Sequence, residues 1–531
     1  MMKAAKIRKI AALAIGVITI FSVTGVSSYA SSVVRKNTLT ETTSDESLNF
    51  NTDSYTSITV TVDGQDIPVR AYENIVYVKN PVDTTYETMN IYIPEAYFEG
   101  GSINGYTADT APVYFRNTVG AYMPGKALSL TSEDSGMGGM MMGNGTAMGG
   151  TTQDGTPIAA IGNAGGGGDK EVAEETLLQG YVVACPGARG RTNTNADGTV
   201  YTGKAPAGLV DLKAAVRYLR YNDSRMPGSA EKIVSDGTSA GGAMSALLGA
   251  TGNNQDYSSY LSAIGAANTR DDIFASVDYC PIINLDNADT AYEWQYAGLN
   301  SVSNRGTINE FSADQLKLSE ELKNMFPSYV NSLNLTSSDG TALTLDADGN
   351  GTFKDYVKSL IISSAQTALD SGTDLSDVTY LTITDGKVTD VDFEAFNAAT
   401  GRMKTPDAFD ALDLSTGENG LFGTATVNAQ HFTQFGLDNS TVSGSSIADA
   451  SLIRMMNPMS YLGQSGNTMA PNFRIRYGTM DSNTSEAVEA LFAAKLQNVG
   501  VNVDIAFPWG VDHKGDYDLD SLFSWIDGLC K

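Results

Sequence analysis

The five residues Gly237-Thr238-Ser239-Ala240-Gly241 constrain the fold of this chain more than any other stretch, because Ile233-Val234 before them reads as a strand end and 240–248 after them as an apolar helix. A serine at the apex of a strand-to-helix turn sits in a strained conformation, and glycines two positions to either side remove side chains that would collide there. Such a turn belongs to a largely parallel sheet with helices on its faces, the α/β class. The upstream pattern agrees. Runs rich in Val, Ile and Tyr at 57–62, 75–78, 89–93, 113–115 and 181–184 read as strands covered on both faces, and 209–221 reads as an amphipathic helix with Leu212, Ala215, Val216 and Leu219 on one side.

A serine hydroxyl attacks an acyl carbon at neutral pH only when a base takes its proton. The chain holds 2 histidines. In this fold class the order is nucleophile, acid, then histidine, which selects His513 near the C-terminus over His431. His513 follows a strand-like run at 501–507 and the turn Pro508-Trp509-Gly510, and it precedes an amphipathic helix at 517–529. The acid reads as Asp481, just past a strand at 473–478 and ahead of a helix at 484–497, so that acid and base stand at the carboxyl ends of neighbouring strands. Asp512 competes, but adjacent residues on an extended loop point apart. An oxyanion needs two backbone donors, Ala240 N–H and one from Asn117-Thr118-Val119-Gly120-Ala121, where Gly120 and Ala121 both remain open. Acyl transfer by these groups requires no cofactor and no metal. The words Asp346-Ala347-Asp348-Gly349-Asn350-Gly351 match half of a calcium loop, but Val357 stands where the bidentate glutamate belongs, so they read as an Asx-rich turn.

The remaining sequence places these residues in a longer plan. Residues 1–30 have the basic start, the apolar run and the small-residue close (Ser28-Tyr29-Ala30) of a cleaved secretory signal, the competing reading being an uncleaved anchor. Residues 31–55 read as a disordered linker, 56–280 as the first part of the core with a Gly/Met-rich loop at 131–168, 281–457 as a large lid insertion, and 458–531 as the second part of the core. A formal charge of −27 without a basic stripe excludes nucleic acid as partner. After signal cleavage no stable membrane insertion is expected, and the location is extracellular. The 3 cysteines allow one bridge at most, with the pairing and the oligomeric state left open.

On these motifs the chain resembles the bacterial tannases, serine esterases of the α/β-hydrolase fold that cleave gallate esters. The likeness runs from about residue 58 onward and includes Asn117-Thr118-Val119-Gly120, Gly187-Ala188-Arg189-Gly190-Arg191-Thr192, the serine elbow, Tyr292-Glu293-Trp294-Gln295, Arg402-Met403-Lys404, Glu418-Asn419-Gly420-Leu421-Phe422-Gly423 and His513-Lys514-Gly515-Asp516-Tyr517-Asp518-Leu519. The resemblance implies a phenolic ester as substrate, Ser239, Asp481 and His513 as the catalytic set, and Lys404, Glu418 and Asn483 at the hydroxyls of a galloyl ring. Asn483 departs from the family, which carries an aspartate there, and the Gly/Met-rich loop is longer than in the family. Other readings of the same residues are a feruloyl or short-chain esterase, a serine peptidase of this fold, and a non-catalytic surface binding protein.

Overall fold

The computed structural model describes residues 46–132, 168–304 and 307–531. The signal at 1–30, residues 31–45 of the linker and 133–167 of the Gly/Met-rich loop lie outside the described residues. Strands β1 (Thr56–Val62), β2 (Gln65–Val76), β3 (Thr88–Pro94), β4 (Pro112–Arg116), β5 (Val182–Pro186), β6 (Ser229–Thr238) and β7 (Ala275–Tyr279) precede the insertion. Within it, β8 (Ser301–Asn304) pairs with β9 (Thr307–Glu310), and β10 (Leu381–Thr384) with β11 (Lys387–Val391). The strands β12 (Asn472–Arg476) and β13 (Asn502–Ala506) follow, and the main sheet has 9 strands in the order β1-β2-β3-β5-β4-β6-β7-β12-β13. Its first pairings are antiparallel, and from β5 to β13 every neighbour is parallel.

Continuous apolar runs mark the strands that end up covered on both faces: β3, β4, β5, β7 and β12 are buried along their whole length. The helices α1 (Asp169–Leu178), α2 (Ala207–Tyr221), α3 (Ala240–Ala250) and α4 (Ser258–Ala263) pack with the first part of the sheet. In the insertion follow α5 (Leu285–Tyr296), α6 (Ala313–Ser332), α7 (Thr352–Asp370), α8 (Phe393–Thr400), α9 (Gly417–Leu421), α10 (Gln434–Asp438) and α11 (Ala450–Met455), and after it α12 (Glu486–Asn498) and α13 (Leu519–Cys530). Trp294 of α5 is the hub of the insertion, its ring centroid 5.4 Å from Phe326, 5.8 Å from Phe353 and 5.4 Å from Phe393, one aromatic from each of α6, α7 and α8.

Two expectations shift. Residues 46–50, assigned to the disordered linker, are held in place, with Leu48 and Phe50 buried in the main core and both backbones tied to the Asn222 side chain. The strand expected at 75–78 stops at Val76, where the longer β2 ends. The words 346–351 form the expected Asx turn, with Asp346 Oδ1 accepting from the N–H groups of Asp348 and Asn350. All three cysteines are free thiols. None of the described helices is long and apolar enough to cross a membrane.

Candidate active site

Only Ser239 separates the end of β6 from the start of α3, so it alone turns the chain. Its φ of 61° and ψ of −122° are costly for a residue with a Cβ. Neighbouring backbone holds the strain: Ser239 N–H donates to the Tyr279 carbonyl at 2.9 Å, and the Ser239 carbonyl accepts from Ile282 N–H at 3.2 Å. Gly242 is needed for that close approach, because a Cβ there would stand 2.6 Å from the Tyr279 carbonyl oxygen.

The result is a file of three side chains. Ser239 Oγ lies 2.9 Å from His513 Nε2, and His513 Nδ1 lies 2.7 Å from Asp481 Oδ2. Asp481 is buried, and its other oxygen accepts from Asn483 N–H at 2.8 Å. An ionised carboxylate only accepts, so Nδ1 carries the imidazole proton and Nε2 is left bare toward the serine. Burial disfavours the imidazolium, but the Asp481 carboxylate bonded to Nδ1 offsets it, and the His513 pKa lies above its ordinary value. Asp512 is not in this file; its carboxylate points outward, 3.6 Å from Lys514 Nζ. His431 stands inside the insertion between Asp410, at 2.7 Å, and Ser440, at 2.8 Å, wholly buried, where it pins the loops around these two residues together.

Arg116, at the end of β4, fastens the loops of this site to one another. Its guanidinium reaches Asp236 on β6 at 2.5 Å, Asp516 just beyond His513 at 2.8 Å, and Asp169 at the start of α1 at 2.5 Å. The next residues, 117–121, make up the loop expected to receive the oxyanion. A Cβ on Gly241 would meet the Val119 carbonyl oxygen at 2.7 Å and Asn117 Oδ1 at 2.9 Å, so the loop lies directly against the start of α3, where Ala240 sits. Ala121 and Tyr122 take positive φ angles of 48° and 55°, and the carbonyls of Gly120, Ala121 and Tyr122 are bonded to Met123 N–H, Arg191 Nε and Arg191 N–H, which fixes the turn.

The three residues expected at the acyl ring share one property. Lys404 Nζ, the Glu418 carboxylate and the Asn483 amide are partly buried, yet none makes a hydrogen bond or ion pair to another described residue. Lys404 Nζ rests 3.9 Å from the centre of the Phe409 ring. Burial lowers its pKa, against the pull of Glu418, Asp289 and Asp481. A Cβ on Gly417 would stand 3.2 Å from Arg191 Nε, the group that donates to the Ala121 carbonyl, so the start of α9, with Glu418, lies beside the 117–121 loop. Partly buried polar heads without protein partners are what a polar ligand replaces water on.

Sequence reasoning passed over several groups here. Cys280 offers a sulfur within 4.8 Å of ligating atoms of Asp481 and His513, and its positive φ of 36° marks a tight exit from β7. Asp289 accepts from the N–H groups of Phe409 and Asp410, and Glu293 forms a wholly buried pair with Arg402, whose Nε donates to the Lys404 carbonyl at 2.9 Å. The tetrad Tyr292-Glu293-Trp294-Gln295 was the available signal, since four large side chains in a row on one helix need partners on several sides.

Comparison with known proteins gives a consistent picture. The BD-FAE family model matches residues 163–330. The native tannin acyl hydrolase of Lactobacillus plantarum superposes with a TM-score of 0.82 at 42% identity, covering 91% of this chain and 99% of that one. The tannase of Fusobacterium nucleatum does so with a TM-score of 0.80 at 46% identity, covering 91% and 99%. A tannin acyl hydrolase solved in complex with ethyl gallate matches with a TM-score of 0.82 at 43% identity over 91% and 99% of the two chains. Another, with the same coverage, TM-score and identity, was solved with 3,4-dihydroxybenzoate. Among curated proteins, none matches.

Proposed function

The chain belongs to the bacterial tannases, carboxylic ester hydrolases of the α/β-hydrolase fold, and on that premise we propose that it is a secreted serine esterase cleaving galloyl-type phenolic esters through an acyl-enzyme. The observation that carries this reading is the file Ser239–His513–Asp481, at 2.9 and 2.7 Å, together with Lys404, Glu418 and Asn483, whose side chains make no hydrogen bond among the described residues and suit a hydroxylated ring. Ser239 Oγ attacks the ester carbonyl while His513 Nε2 takes its proton, and backbone N–H groups of Ala240 and of Gly120 or Ala121 receive the oxyanion. Collapse returns that proton to the departing alcohol oxygen. Water then attacks the acyl carbon, gives its proton to Nε2, and releases the carboxylic acid with the Ser239 hydroxyl restored. Asp481 holds the tautomer and offsets the imidazolium charge throughout.

Lys404 donates to ring hydroxyls and Glu418 accepts from them, so the ring is recognised away from the reacting carbon. Asn483 favours a second reading of the acyl group. An amide brings a neutral bond where the family's aspartate brings a charge-assisted one, which suits a ring with fewer than three hydroxyls. Purified enzyme assayed on methyl gallate, methyl protocatechuate, methyl ferulate and a short p-nitrophenyl ester tests both. Preference for either of the first two supports the proposal; preference for ferulate or the short ester, or release of amine from amino-acyl anilides, replaces it. Failure of a fluorophosphonate to label Ser239 in folded protein would instead mean a binding scaffold. Secretion rests on residues 1–30, and a mature N-terminus at Ser31 in culture medium is the expected result.

A further inference from the structure

We infer that Tyr292 is a positioning residue that sets specificity for hydroxylated rings, because its hydroxyl ties the Lys404 flank of the acyl pocket to the Asn483 flank. Tyr292 lies on α5, wholly buried, facing the 402–404 segment on one side and the loop after β12 on the other. Its hydroxyl donates to the Ser482 carbonyl at 2.9 Å and accepts from the N–H groups of Met403 and Lys404, both at 3.2 Å. One O–H donor and both acceptor positions are thereby used, and all three bonds go to backbone. Side-chain changes around the pocket leave this junction in place; loss of the hydroxyl alone unties it.

Other tyrosines hold the same loop but do not reach the lysine. Tyr477 donates to the Asp481 carbonyl at 2.6 Å and Tyr296 to the same carbonyl at 3.4 Å, while Tyr292 holds the neighbouring Ser482. Removing the Tyr292 hydroxyl therefore leaves the acid anchored. It releases Ser482, next to Asn483, and strands two N–H groups, one of them on Lys404 itself. Among the described residues the Lys404 backbone keeps one tether, the bond from Arg402 to its carbonyl. With that single hold the ammonium samples more positions over Phe409, and ring binding pays the ordering cost that the hydroxyl now removes in advance.

The inference rests on the reading that Lys404 and Asn483 face the acyl ring, and a double-mutant cycle separates the two. In Tyr292→Phe the ring and its packing remain. The Michaelis constant for methyl gallate is expected to rise about tenfold, the loss of roughly one net hydrogen bond, with kcat within about threefold. Turnover of p-nitrophenyl acetate, whose acyl group has no ring, and fluorophosphonate labelling of Ser239 should each fall by no more than about threefold. In a Lys404→Ala background, Tyr292→Phe should cost methyl gallate clearly less than in the wild type, the remaining loss coming from the Asn483 flank. Equal losses on both esters, lost labelling, or fully additive effects in the double variant would overturn the positioning role. A Lys404→Ala variant without any preferential loss on methyl gallate would overturn the ring-binding reading itself.

Discussion

Lys404→Ala isolates ring recognition from acyl transfer and has two readouts whose signs follow from the structure. The Lys404 ammonium has no hydrogen-bond partner among the described residues, and on the proposed function a ring hydroxyl is the acceptor it takes. A charge-assisted bond of that kind contributes about 1.5–3 kcal/mol, a loss of roughly 10- to 150-fold in kcat/KM for methyl gallate. For p-nitrophenyl acetate the same ratio should stay near the wild-type value. Stability gives the second readout. Burial lowers the Lys404 pKa below its ordinary 10.5, so at neutral pH the folded state carries a charge it disfavours. That penalty is complete below the folded pKa and fades as pH rises toward the unfolded value. Alanine removes it but also loses the contact with Phe409, a cation–π interaction of about 0.5–2 kcal/mol. The melting temperature of Lys404→Ala relative to wild type should therefore be most favourable near pH 7 and decline as pH approaches 10. Melts by calorimetry over that range and initial rates on the two esters suffice. Equal loss on both esters, or a stability difference that grows with pH, would refute the reasoning.

Other outcomes follow from the same geometry. If the natural acyl group is gallate, Asn483→Asp should raise its kcat/KM several-fold, since charge assistance adds on the order of 1 kcal/mol; for a ring with fewer hydroxyls the added carboxylate should lower activity, and no change on any phenolic ester would remove Asn483 from the pocket. Because His513 must be neutral to accept the serine proton and its pKa is raised, kcat/KM should climb with pH through a midpoint above the ordinary histidine value of 6.5, and a midpoint below it in a pH–rate profile would contradict the electrostatic account. Arg116→Met leaves Asp236 and Asp516 buried without their cation, so denaturant melts should show a loss of about 3–5 kcal/mol together with reduced turnover, since Asp516 anchors the His513 loop.

Much of the Ser239–His513–Asp481 file was legible in the sequence because order along the chain carries it. A serine between a strand and a helix, an aspartate past the penultimate strand and a histidine past the last one arrive at one end of a parallel sheet whatever the insertion does. Scarcity helped, since His431 was the sole alternative base. Contacts between distant segments were not legible in the same way. Nothing local to Tyr292 says that its hydroxyl meets residues 403, 404 and 482, and nothing local to Arg116 says that carboxylates from β6, α1 and the His513 loop converge on it. The linker boundary moved for a related reason: Leu48 and Phe50 are two apolar residues in a polar tract, too few to show a period, and they are held by the core they dock into.

The central claim, acyl transfer through Ser239 with His513 as its base, is tested most directly by trapping the intermediate. Mass spectrometry of enzyme quenched during turnover of a phenolic ester should find the acyl group on the peptide containing Ser239, and Ser239→Ala should abolish both the adduct and turnover. His513→Ala should abolish its accumulation during turnover. Full turnover by Ser239→Ala, or an acyl group residing on another residue, would contradict the account.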